Sequence, residues 1–123
     1  MSCDYAVWSV RESFGASEYL ARYVAACEGE PGDSDEDPAL DALLKELEAS
    51  YPDIDSLPDE AVDASPWSAG FDRTPDGIVF CCRWSMAEAV GELIRALARK
   101  HGLAFIDPQN ETVTLPGGTT HKA

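Results

Sequence analysis

Residues 28–63 carry fourteen carboxylates against one base, Lys45. Ionised carboxylates are almost never fully buried unless paired, so this segment has to run along the surface. The core must then be built mainly from the apolar runs on either side of it. The whole chain of 123 residues has a net charge of -14, and outside 28–63 nine acids and eight bases nearly cancel. Charge gathered in this way excludes nucleic acid and anionic membrane as partners, because both require cationic surface. A basic protein is the natural complement.

The apolar runs read as alternating strands and helices. Asp4 to Val10 mixes aromatic and β-branched residues as a strand does. Ser17 is placed to cap a helix with Leu20, Val24 and Cys27 on its apolar face and Gly29 beyond its end. Asp37-Pro38 supplies a cap and a first-turn proline for a second helix carrying Leu40, Leu43, Leu44 and Leu47, which Pro52 stops. Residues 52–66 follow as a long acidic loop, and 66–71 as a short strand or irregular edge. After the Asp76-Gly77 turn, Ile78 to Trp84 is the clearest strand, with Ile78, Phe80, Cys82 and Trp84 on the face toward the helices. Ser85-Met86-Ala87-Glu88 has the form of a capping box for a helix with Met86, Val90, Leu93, Ile94 and Leu97 on its stripe and Gly102 as its stop. Leu103 to Ile106 and Glu111 to Leu115 then read as two strands joined by the turn Asp107 to Asn110.

This order predicts an α+β domain over residues 1–115, a ferredoxin-like split βαβ sandwich with an extra helix and a C-terminal hairpin strand, followed by a disordered tail at 116–123. Both main helices are expected on one face, leaving the other open. Residues 1–27 contain Asp4, Arg11, Glu12, Glu18 and Arg22 with no uninterrupted apolar stretch, so neither a secretory signal nor a membrane span is read and a cytoplasmic location is expected. Cys3, Cys27, Cys81 and Cys82 show no CxxC spacing and fit reduced thiols.

Chemistry-bearing patterns are sparse. Asp33, Asp35 and Asp37 alternate like the start of an EF-hand, but the sixth position is Pro38 instead of glycine and the twelfth is Leu44 instead of glutamate. His101 and His121 have no cysteine at zinc-ligand spacing, so no metal and no cofactor is expected. Cys81 or Cys82 with His101 is the one nucleophile-base pairing that can be drawn, but Cys82 shares a strand face with Phe80 and His101 sits where a helix ends. No GxSxG, P-loop or GxGxxG occurs. The expectation is a non-enzymatic protein. Of the three tryptophans, Trp84 reads as core, whereas Trp67, after a proline at the margin of the acidic loop, is a candidate exposed anchor.

Asp4-Tyr5-Ala6-Val7-Trp8, Ser65-Pro66-Trp67, Trp84-Ser85, His101-Gly102-Leu103 and Asp107-Pro108-Gln109 together resemble a family of small acidic bacterial proteins of actinobacteria and proteobacteria. The resemblance implies a single cytoplasmic domain and assigns no catalytic residue. In size and acidity the chain is also similar in type to immunity proteins of polymorphic toxin systems. The sequence therefore predicts an acidic protein-binding domain that neutralises a basic toxin by covering its surface with Asp33, Asp35, Glu36, Asp37, Asp41, Asp53, Asp55, Asp59 and Glu60, with Trp67 as the apolar anchor. The competing expectation is a structural or small-ligand module that self-associates through the open sheet face, with Val79 and Cys81 in the contact.

Overall fold

Alternation along the β3 strand (Gly77–Arg83) divides the molecule into layers, because successive side chains point to opposite faces of a sheet. Ile78, Phe80 and Cys82 enter one buried cluster and Val79 enters another. The computed structural model describes residues 2–30, 36–54, 57–62, 65–68 and 70–123. β1 (Ser2–Ser9) pairs antiparallel with β3 on one side, in the register Cys3↔Cys82 to Trp8↔Gly77, and with β4 (Leu103–Asp107) on the other. β2 (Asp72–Arg73), β5 (Thr112–Thr114) and β6 (Thr120–Lys122) complete a six-stranded antiparallel sheet in the order β2-β3-β1-β4-β5-β6. Both border strands are very short. The architecture is α+β.

The first face of the sheet is covered by α2 (Pro38–Ser50) and α4 (Ala87–Lys100), which bury Leu40, Leu43, Leu47, Val90, Ile94 and Leu97 against Val7, Ile78, Phe80, Leu103 and Phe105. The start of α2 follows the sequence closely. Asp37 is its cap, accepting the Ala39 N–H at 2.9 Å, and Pro38 occupies the first turn. The second face is covered by α1 (Ala16–Cys27), which buries Tyr19 and Ala26 over Ala6, Trp8, Val79, Ala104 and Ile106. A one-turn helix, α3 (Asp59–Val62), lies within the acidic loop. Among the described residues no helix is long and apolar enough to cross a membrane.

Several expectations change at this level. α1 and α4 lie on opposite faces, so the face expected to be open carries α1. Val79 is buried and Cys81 half-buried, and the proposed self-association surface is already used internally. The apolar side of α1 is rotated by one residue from the reading: Val24 is 48% exposed and Cys27 is exposed, while Tyr19 and Ala26 face inward. Tyrosines build this stripe because their hydroxyls find partners at its rim. Tyr19 Oη accepts the Arg11 N–H at 2.9 Å, and Tyr23 donates to the Asp4 carboxylate. No capping box forms at α4. Trp84–Met86 makes a 3-10 turn, and the helix starts at Ala87 without a side-chain cap. Residues 116–123, expected as a disordered tail, return as β6 and pair with β5 from Thr112↔Lys122 to Thr114↔Thr120. Leu115 and Thr119 close that hairpin, with the Leu115 N–H donating to the Thr119 carbonyl at 2.8 Å.

The closest of the backbone approaches at glycine is tight enough to dictate the residue. A Cβ at Gly77 would lie 2.3 Å from Cδ2 of the buried Trp8 indole. Gly77→Ala should therefore force Trp8 off its rotamer and lower stability by about 1–3 kcal/mol, read as a lower urea midpoint at unchanged m-value.

Candidate protein-binding face

The acidic segment is only partly outward-looking. Asp37 is half-buried and serves the fold: besides capping α2, its Oδ2 accepts the Ser9 hydroxyl at 2.7 Å and so ties α2 to the end of β1. Asp41 is 70% exposed but ion-paired to Arg73 at 3.0 Å, which joins α2 to β2. Glu46, one turn later on the helix, takes Lys100 at 2.6 Å on one oxygen and lies 3.5 Å from His101 Nε2 on the other, joining α2 to the end of α4. Glu36, Glu48, Asp59 and Glu60 are exposed and make no ion pair among the described residues, and Asp53 is half-buried. Asp33, Asp35 and Asp55 lie outside the described residues.

The tryptophans exchange the roles expected of them. Trp67 is 0% exposed, which removes it as a surface anchor. It bridges to Cys82, stacks on Phe80 at 5.7 Å and meets Phe71 edge-on at 4.9 Å. Its Nε1–H donates to the Tyr51 carbonyl at 3.1 Å, so the polar edge is satisfied inside. Trp84 is 58% exposed because the strand ends at Arg83 and the 3-10 turn carries the next residue out of the alternating pattern. The sequence signal for this was the helix-start pattern directly after Trp84, which competes with continued strand.

Trp84 borders an open hollow of 350 Å³ shared with Cys3, Tyr5, Glu88, Asp107 and Gln109. Its surroundings are held by hydrogen bonds, most of them between side chains and the main chain. The Arg83 N–H donates to the Pro66 carbonyl at 2.6 Å, and Arg83 Nη2 donates to the Val62 carbonyl at 3.1 Å, so α3 with Asp59 and Glu60 is tied to the residue before Trp84. On the far side, the Gln109 amide pairs with both backbone groups of Asp4 at 2.7 Å, and Asn110 donates to the Asp107 carboxylate at 2.8 Å. Glu88 stands exposed in the first turn of α4. The arrangement is one large exposed indole beside the carboxylates of Glu88 on α4 and Asp107 at the end of β4, with α3 tethered through Arg83.

The thiols are not set up for nucleophilic work. Burial pushes Cys81 and Cys82 up to about 12, with the carboxylate of Asp4 adding to the effect at Cys81 and the neighbouring Cys3 at Cys82. An activated cysteine needs a shift in the opposite direction. Cys3 and Cys27 are also raised, by burial first. Among the described residues no group of three or more His, Cys, Asp or Glu side chains is placed to hold a metal ion. No protein-family model, no curated protein and no solved structure matches the chain.

Two outcomes test this account. With a disulfide-exchange reagent at neutral pH, exposed Cys27 should react first, and Cys3 and Cys82 should react only at the rate of unfolding. Comparable rates for Cys27 and Cys82 would contradict the burial described. Glu46 is held below the ordinary glutamate range, first by its hydrogen bond from Lys100. A carboxylate lowered on folding contributes stability above its unfolded value and loses it as pH falls through its folded value. Glu46→Gln should therefore flatten the acid side of the stability profile, measured as urea midpoints from neutral pH down through the glutamate range.

Proposed function

We propose that this chain is a non-enzymatic protein-binding domain that docks a basic partner through the Trp84 face, and that it acts as an immunity protein, neutralising a cognate toxin by covering its cationic surface. The observation that carries the reading is the 58% exposure of Trp84 beside Glu88 of α4 and Asp107 at the end of β4, with α3 tied by Arg83 to the same end of the strand. Interface hot spots favour tryptophan at the centre of a patch with polar groups around it. Carboxylates at the rim add to association rate more than to affinity. The net charge of -14 extends that steering over the whole molecule. Glu48, Asp59 and Glu60 remain in the proposed footprint, whereas Glu36 lies beside Asp37 at the other end of β1 from Trp84. Asp37, Asp41 and Glu46 have internal partners and contribute less. The similarity in type to immunity proteins supports the same reading.

The finer reading of the fold is that β2-β3-β1-β4, with α2 and α4 on one face, is a ferredoxin-like split βαβ unit to which α1, β5 and β6 are additions. That frame hosts many functions and selects none. Four free cysteines, with Cys3 and Cys82 directly opposite each other across β1 and β3, support a reducing, cytoplasmic setting.

The test is capture from the source cell's extract with matched baits: the wild-type chain, Trp84→Ala, and the charge reversal Asp59→Lys/Glu60→Lys/Glu88→Lys. The wild type should retain a protein of basic isoelectric point. With that protein purified, charge reversal should slow association by about tenfold or more at low ionic strength and flatten its salt dependence. Trp84→Ala should mainly speed dissociation. Equal retention of the same proteins by all three baits, or association rates indifferent to salt, would remove the proposal.

A further inference from the structure

A second hollow, of 390 Å³, lies on the α4 side of the sheet, where the layer of helices runs out. α4 and α2 pack on β1, and α4 also on β3 and β4, whereas α1 packs on β5 and β6 from the opposite side. The uncovered corner is floored by Leu103 and Phe105 of β4 and walled by Thr114 and Leu115 at the end of β5. Its other wall is one flank of α4. Glu92, Arg95, Ala96 and Arg99 stand there at i, i+3, i+4 and i+7, the spacing that places side chains one above another on a helix.

The two arginines set the chemistry of this cleft. Arg11, Arg73 and Lys100 are each paired with a carboxylate, while Arg95 and Arg99 are exposed and make no ion pair among the described residues, in a chain where acids outnumber bases. A cation in the last turn of a helix is favoured by the helix dipole. That accounts for Arg99 and leaves Arg95, a turn earlier, without explanation. Guanidinium groups bind carboxylate and sulfonate oxygens in a forked geometry, and apolar-floored pockets of this volume match small organic ligands.

We infer that this cleft is a binding site for a small organic anion, with its acidic headgroup between Arg95 and Arg99 and its apolar body on Leu103 and Phe105. The inference is independent of the Trp84 face and of any protein partner. Because the molecule as a whole repels anions, a bound anion has to be held by local contacts.

Anilinonaphthalene sulfonate, and the uncharged N-phenylnaphthylamine as its control, are suitable probes for titration against the full chain. The sulfonate should bind at one site and shift the backbone amide resonances of 103–105, 114, 115, 117 and 118 in the wild type. Arg95→Ala/Arg99→Ala should weaken the sulfonate by about tenfold or more and leave the uncharged probe little changed. Ala96→Trp, an exposed position that fills the cleft, should abolish binding of both. No sulfonate binding to the wild type, resonance shifts elsewhere in the sheet, or undiminished sulfonate affinity in either variant would each overturn the site.

Discussion

Burial of the Trp67 indole is the interaction that lets a self-repelling acidic excursion belong to a folded domain. The carboxylates of 28–63 oppose compaction, and the described segment around them has few apolar anchors: the three inward leucines of α2, then Trp67 against Phe80, Phe71 and Tyr51. A buried tryptophan removes about 150–250 Å² from water, or roughly 4–6 kcal/mol of gross apolar burial, comparable with the net stability of a small domain. Its neighbours extend the effect. Trp67 bridges to Cys82, and Arg83 binds the backbone of Pro66 and Val62, so the same few residues hold down the end of the acidic segment and set the position of Trp84.

The charge of that segment is divided between structural and outward roles. Asp37, Asp41 and Glu46 each join α2 to a different neighbour: the end of β1, β2 and the end of α4. Exposed pairs of this kind contribute little individually, but they fix the orientation of a helix that could otherwise rotate about its leucine stripe. The outward remainder, which includes Glu48, Asp59 and Glu60, is what a cationic surface would meet first.

Local chemistry was legible where it was self-sufficient. The Asp37-Pro38 cap, the leucines of α2, the alternation of Ile78 to Cys82 and the stop at Gly102 all follow from spacing, and Gly102 takes a φ of +72°, open to glycine and costly for most residues. What depended on distant partners was not legible. Trp67 lies in a proline-rich stretch with no periodicity, and its burial is decided by Phe80 across the edge of the sheet. The face chosen by α1 depends on the Tyr19 and Tyr23 hydroxyls finding Arg11 and Asp4, a match that no count of apolar residues reveals. β6 exists only because β5 offers a free edge and Leu115 begins a tight reversal. At the candidate face, the acids were legible as charge, but their partners were not, and the exposed indole was assigned to the wrong tryptophan.

The sheet ends in a two-residue strand on one border and a three-residue strand on the other. Borders this brief offer almost no unpaired main-chain ladder, which guards against stacking of copies into fibrils. They also close off strand addition, a common way for sheet proteins to capture a peptide by backbone alone. A partner docking here would therefore be held chiefly by side chains, which can be exchanged without disturbing the hydrogen-bonded frame beneath.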